Sequence, residues 1–276
     1  MQPAFTHSFF AVLMRYFLLL AASALLLGAA RPAIPQLTPT VAAPLAAPGA
    51  VLSNAARTAL LARAGLGRLW QHQPQAGADD VLNGCFGYDG RRIEFVFLSV
   101  QADAQNPGRY RVAGKFRCYG DVTPFRGSVE VQQVQRLPAK LAANDPENGR
   151  AAPIYCTTGA FSLQATSGHG LGGRFDGRLA IDFQLAANGR AKLVDYTANP
   201  ATRNGGLLFD GQWRDGADGE PVAVVWKQGM AVAHQILTRF EIGDRDAHLN
   251  PRYARVGWNS YWQNEEWWTE KAVAKR

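Results

Sequence analysis

The sequence predicts a mainly β fold: an antiparallel, strongly coiled sheet or small barrel of about eight strands. A short N-terminal helix and an aromatic-rich C-terminal segment accompany it. Three observations carry this prediction. Between Arg109 and Cys118, Tyr110, Val112, Gly114, Phe116 and Cys118 alternate with Arg109, Arg111, Ala113, Lys115 and Arg117, the period-two pattern of a half-buried strand. The chain holds 28 glycines and 15 prolines, which favour turns over long helices. Finally, a Phe-x-Gly triplet recurs inside strand-like runs: Phe125-Arg126-Gly127, Phe175-Asp176-Gly177 and Phe209-Asp210-Gly211.

The chain begins with segments that are not fold. After Met14 a single cation, Arg15, precedes the apolar run Tyr16–Leu27 and the small residues Gly28, Ala29 and Ala30. That is the pattern of a secretory signal in residues 1–30, with Met14 as the expected true start. The run is shorter than the roughly 20 apolar residues of a membrane span, so the mature chain is expected to carry no transmembrane span. The other reading is an uncleaved anchor. Residues 31–50 hold Pro32, Pro35, Pro39, Pro44 and Pro48 among Ala and Thr and read as an extended spacer. A single β-rich domain is expected over 51–276, in an exported, periplasmic or extracellular protein.

Within that domain, Ser53 can cap a helix whose Ala55, Ala56, Ala59, Leu60 and Ala64 follow at helical spacing, ended by Gly65. A polar loop follows at Ala76–Asp80. Strands are then expected at Ile93–Val100, Arg109–Cys118, Phe125–Val131, Ala160–Thr166, Arg174–Leu185, Lys192–Thr197, Leu207–Trp213 and Val222–Lys227. Asn188-Gly189 is the strongest hairpin signal. Parity turns the Phe and Gly of each triplet inward, together with Val129, Leu179 and Trp213. Glycine on the core face weakens a strand unless the backbone must bend there, so these positions imply sharp coiling. Arg109, Arg111, Lys115 and Arg117 fall on the outer face, as do Arg174, Asp176, Arg178 and Asp182, which argues against a lipid-facing barrel.

The segment Gly114–Val131, a basic strand and polar turn followed by Thr123-Pro124-Phe125-Arg126-Gly127, is similar to a motif of uncharacterised secreted bacterial β-rich proteins. Gly211-Gln212-Trp213 resembles the Gly-x-Trp of lipocalin-like and avidin-like barrels, although there it lies near the first strand and here it lies late. Both resemblances imply an architecture and no activity.

The C-terminal part is aromatic. Trp226, Trp258, Trp262, Trp267 and Trp268 are five of the seven tryptophans. A helix capped by Asn259 or Ser260 and running to about Lys275 would place Trp258, Tyr261, Trp262, Glu265 and Trp268 near one face. Trp213, Trp258, Tyr261, Trp262 and Trp268 are therefore the candidate ligand-binding residues, a platform for sugar rings or another apolar ligand. The alternative is a strap that covers the β domain with the same side chains. Trp267 and Trp268 would point to different faces, leaving at least one exposed.

Catalytic and metal motifs are absent from the sequence. It contains no HExxH, no Cys-x-x-Cys and no Gly-x-Ser-x-Gly. No metal site and no cofactor is expected, and no catalytic residue is assigned. Cys85, Cys118 and Cys156 allow one disulfide in any of three pairings. The formal charge of +7 becomes +6 once Arg15 leaves with the signal, too modest for a nucleic-acid partner. Asp176, Asp182 and Asp210 are expected outside, in cross-strand ion pairs with the Arg-rich rows. The expected function is a non-catalytic, secreted or periplasmic, barrel-like binding or envelope-associated protein, with a small apolar ligand or a cell-surface glycan as partner. The alternative is a secreted carbohydrate-active hydrolase with paired carboxylates beside the C-terminal tryptophans.

Overall fold

The computed structural model of the chain describes residues 37, 39, 47–75, 81–142, 152–166, 170–228, 233–239, 248–263 and 265–269. The signal-like segment, the 76–80 loop and the last seven residues lie outside the described residues, and so does most of the Pro-rich segment.

Ten strands form one antiparallel sheet: β1 (Ala50–Val51), β2 (Leu82–Phe86), β3 (Arg91–Ala102), β4 (Arg109–Cys118), β5 (Asp121–Arg136), β6 (Ile154–Ala165), β7 (Arg174–Leu185), β8 (Ala191–Leu193), β9 (Leu207–Arg214) and β10 (Val222–Lys227). Eight of them follow one another as an up-and-down meander, β2-β3-β4-β5-β6-β7-β9-β10, and β10 returns to pair with β2. The result is a closed barrel, which leaves no long sheet edge unpaired. β1 adds to the end of β5 and β8 to the end of β7.

Closure depends on the inward glycines. Gly177 and Gly211 face each other across β7 and β9. A Cβ on Gly177 would stand 2.4 Å from the Asp210 carbonyl oxygen and 2.6 Å from the Gly211 Cα. No side chain fits there, so the two backbones coil together more closely than the pleat of a flat sheet allows. Large rings occupy the space above such glycines: Phe161 lies over Gly177 and Phe125 over Gly114.

Those rings fill the barrel. Trp226 stacks on Phe95 at 4.0 Å and on Phe209 at 5.1 Å, and Phe209 stacks in turn on Phe97 at 5.6 Å. Phe116, Phe125, Phe161 and Phe175 meet this column obliquely or edge-on. Each ring buries on the order of 150–250 Å², so the stack is the main source of apolar stabilisation. Helix α1 (Asn54–Ala64) plugs one end with Leu60, Leu61 and Ala64, followed by Leu66 and Trp70. Ser53 accepts from the Ala56 N–H at its start and Gly65 ends it in the left-handed conformation, as the sequence indicates.

The Asn188-Gly189 hairpin joins β7 and β8, with Ala186 N–H donating to the Arg190 carbonyl. The strand expected at Lys192–Thr197 stops after Leu193. The reason is Asp182, which is fully buried on the outer face of β7 and gathers the following loop around itself. Its carboxylate accepts from Thr197 Oγ1 at 2.6 Å, Asn199 Nδ2 at 2.7 Å and Thr202 Oγ1 at 2.8 Å. Asp182 therefore makes no cross-strand ion pair among the described residues. Asp176 pairs with Arg174 of its own strand, and Asp210 with Arg203 of the loop. For Asp182 and Asp210 the cause is shared: a loop covers the outer wall and brings its own partners.

The C-terminal segment is one such cover, and the expected terminal helix is not formed in the described residues. β11 (Leu237–Arg239) pairs with β12 (His248–Leu249), and then come a single helical turn, α2 (Pro251–Ala254), and two 3-10 turns, Trp258–Ser260 and Trp267–Thr269. Gly257, at φ 96°, turns the chain before the first of these. Leu37 also lies on this outer face, beside Cys85, Leu208 and Val225. Ala47 is buried on another, beside Cys156 and Val194.

Candidate functional site

The five aromatic residues singled out from the sequence do not converge. Trp213 sits at the barrel end opposite α1, against Phe86, and its Nε1 donates to the Gly172 carbonyl at 2.7 Å. Trp258 is fully buried on the outer face of the barrel, with Nε1 donating to the Gly90 carbonyl. Tyr261 lies half-buried beside it and meets Trp262 edge-on, and Trp262 is 44% exposed. Trp268 belongs to a separate cluster with Val96, Trp267 and Val81. Trp267 and Trp268 are both buried, against the expectation that one is exposed. In a 3-10 turn successive side chains are about 120° apart, and the strap lies in a trough that takes both. Trp267 covers Arg117 and Trp268 meets His72.

What the strap does create is a cleft of about 500 Å³ between the outer wall of β3 and β4 and residues 254–260. Arg91, Arg92, Arg117 and Arg255 line it, with Glu94 as the one acidic residue. Strand parity explains the wall. Ile93 and Phe95 point into the barrel, so Arg92 and Glu94 point out, and Arg117 stands directly opposite Glu94 across the β3–β4 ladder.

The two deeper arginines are committed. Arg92 donates to Asn83 Oδ1 at 3.0 Å, Ser260 Oγ at 2.9 Å and Glu94 Oε1 at 2.9 Å. Arg117 donates to both oxygens of Glu94 and, at 2.7 Å, to Glu265 of the strap. Burial pulls the Arg92 pKa below its ordinary value, with Glu94 acting against that shift. For Arg117 burial acts in the same downward sense, but the bonds to Glu94 and Glu265 outweigh it and its pKa is raised. This four-residue network fastens the strap to the barrel. It also corrects the expectation that the basic row of β4 pairs with Asp176 and Asp182. β4 lies between β3 and β5, and Lys115 and Arg117 reach the strap instead, Lys115 through the Trp268 carbonyl at 2.6 Å.

The two outer arginines are differently placed. Arg255 is exposed at the cleft rim, and no partner for it is found among the described residues. Arg91 is partly exposed. Its guanidinium lies 4.2 Å from the centroid of the Tyr119 ring and 3.9 Å from Asp89. Tyr119 itself is 61% exposed, at φ 57° in the tight β4–β5 turn.

The cysteines offer no chemistry here. All three are unpaired and buried, Cys118 inside the barrel and Cys85 and Cys156 in two different outer clusters. Burial pushes the Cys85 and Cys118 thiols up to about 12 and raises Cys156 as well. Lys227, buried behind the 194–206 loop, is lowered to about 8 by burial, and its ammonium donates to the Thr202 and Arg203 carbonyls. It pins the loop. No group of three or more metal-ligating side chains occurs among the described residues.

Sequence reasoning missed Arg91, Arg92, Glu94 and Arg255 as members of one site. A signal was present, because Glu94 is the only charge in the otherwise apolar or neutral run Ile93–Val100. Comparison with known proteins finds no matching family, no similar curated protein and no similar solved structure.

Proposed function

We propose that the protein is an exported, non-catalytic binding protein of the cell envelope that takes its ligand on the outer wall of its barrel. One observation carries this reading: the ring column Phe95–Trp226–Phe209–Phe97 occupies the barrel axis, and the roomy concave surface lies outside, between the wall and the strap. Of the two partner classes expected from the sequence, the glycan fits such a polar outer cleft better than the small apolar ligand, which would need the barrel interior. Export is supported by the signal-like residues 1–30 and by the likeness of Gly114–Val131 to secreted bacterial proteins.

A hydrolase reading has one observation in its favour, since Glu94 and Glu265 both bond Arg117 beside Trp267. Glycoside cleavage needs one carboxyl group free to give its proton to the leaving oxygen. Glu265, half exposed and bonded through one oxygen, meets that need, but the reaction also needs a second carboxylate as base or nucleophile, and both Glu94 oxygens are taken by guanidinium donors, so the binding reading is preferred.

The test expresses the full chain in a bacterial host, locates it, and incubates the purified protein with sedimentable envelope polysaccharide. Recovery outside the cytoplasm, co-sedimentation and no new reducing ends are expected. Cytoplasmic retention, failure to co-sediment, or release of reducing ends overturns the proposal.

A further inference from the structure

We infer that the outer cleft recognises an acidic glycan, a sugar chain bearing carboxylates, through Arg91 and Arg255 with Tyr119 as the stacking surface. The inference rests on the binding reading above and names its ligand class.

The charge of the cleft comes first. Four arginines and one glutamate line a recess of about 500 Å³, and once Glu265 on Arg117 and Asp89 beside Arg91 are counted, four positive charges stand against three negative ones, an excess of one, held by Arg255, which is unpaired among the described residues. Low-dielectric walls concentrate such a field and favour an anion entering from solvent. The arginines are also divided in role. Arg92 and Arg117 are buried and spend their donors on Glu94, Asn83, Ser260 and Glu265. With Glu94 and Glu265 they form a rigid floor in which two positive charges meet two negative ones, so the charge open to a ligand is that of Arg255 and Arg91. Arg255 keeps its donor fork at the rim, and Arg91 lies over the Tyr119 ring, 4.2 Å from its centroid, with only a long 3.9 Å approach to Asp89. A planar guanidinium suits a carboxylate because two parallel N–H groups meet two oxygens.

The sugar part of the inference comes from Tyr119. A large aromatic residue at a strained backbone position, 61% exposed with Arg91 4.2 Å from its ring centroid, keeps most of its surface open to solvent. The C–H face of a pyranose ring packs on such a surface, while its hydroxyls find the polar groups of Asn259 and Ser260 on the opposite wall. A fatty acid would need an apolar channel, and this cleft is lined mainly by charged and polar side chains and backbone.

Isothermal titration of the full-length exported protein with an oligogalacturonate and a neutral oligogalactose of equal length tests the inference, with inorganic phosphate and a single-stranded oligonucleotide as further arms. At low salt the oligogalacturonate is expected to bind at least tenfold more tightly than the neutral sugar or phosphate, and to weaken as salt rises. The double variant Arg91→Gln/Arg255→Gln should lose about tenfold in affinity with an unchanged thermal midpoint, and Tyr119→Ala about threefold. Arg174→Gln, an exposed residue on β7 outside the cleft lining, should bind as the parent does. Equal binding of neutral and acidic sugars overturns the ligand class while leaving the binding reading intact. Acidic binding unchanged in the double variant overturns the site. Tighter binding of phosphate or of the oligonucleotide overturns the glycan assignment, and no binding of any probe overturns the inference outright. The envelope co-sedimentation test stands separately from all of these.

Discussion

Arg117 on β4 and Glu94 on β3 face each other across the ladder and join through two hydrogen bonds, 2.7 Å from Nε to Oε2 and 3.1 Å from Nη2 to Oε1. Arg92 completes the coordination of Glu94, and Glu265 takes the remaining terminal nitrogen of Arg117. Removing one partner of a buried ionic set leaves the others uncompensated, at a cost of roughly 3–5 kcal/mol. Glu94→Gln should therefore lower stability by several kcal/mol and release the strap. Urea unfolding followed by tryptophan fluorescence measures both. A midpoint unchanged from the parent would show that the network does not hold the strap.

Two strap tryptophans should differ sharply. Trp258 is fully buried and hydrogen-bonded to the Gly90 carbonyl, whereas Trp262 is 44% exposed. Trp258→Ala should cost about 3–5 kcal/mol and Trp262→Ala about 0.5 kcal/mol or less. Denaturant midpoints of the two variants give the comparison, and equal losses would contradict the placement of the strap.

The facing glycines make a third case. Gly177→Ala and Gly211→Ala each place a Cβ against backbone, 2.4 Å from the Asp210 carbonyl oxygen in the first and 2.2 Å from the Asp176 carbonyl oxygen in the second. Each should destabilise by more than about 2 kcal/mol, the range of overpacking. Because both substitutions press on one contact, the double variant should lose less than the sum. Thermal unfolding of all three variants checks this.

The thiols yield a prediction in pH. Cys85 and Cys118 are raised from 9.0 to about 12 and Tyr110 from 10.0 to about 12, all by burial. In the native state these groups hold protons that the unfolded chain releases, so their contribution to stability is present at lower pH and is lost as pH rises. Lys227, lowered from 10.5 to about 8, acts in the opposite sense only between those values. Above pH 10.5 Cys85, Cys118 and Tyr110 act without that opposition and in the same sense as Cys156 and Tyr261, which burial also raises, so stability should fall steeply as pH rises. Urea midpoints between pH 10.5 and 12 measure the slope. At pH 8 a disulfide-exchange reagent should titrate no thiol in the native protein and three after denaturation.

The barrel was legible from the sequence because its signals are local. Alternation over Arg109–Cys118 sets the two faces of a strand, and Arg174–Leu185 and Val222–Lys227 form over the same residues that their pattern marks. The inward glycines Gly127, Gly177 and Gly211 announce coiling wherever the strands pair. The strap was not legible in the same way. Trp258, Tyr261, Trp262 and Trp268 have helical spacing, but the segment forms short turns because its rings find separate seats on the barrel wall. Tertiary packing overrides a weak local preference.

The same division holds for the site. By itself the sequence determined that Arg117 and Asp182 lie on the outer face, since period-two parity is a property of the strand alone. Only the tertiary structure decided what meets them there: Glu94 and Glu265 for Arg117, and the hydroxyls and amide of Thr197, Thr202 and Asn199 for Asp182. Those partners come from segments as far as 148 residues away along the chain, as Glu265 is from Arg117. Desolvation under a covering segment selects one partner among many, and that selection exists only once the barrel has closed and the strap has been laid across it.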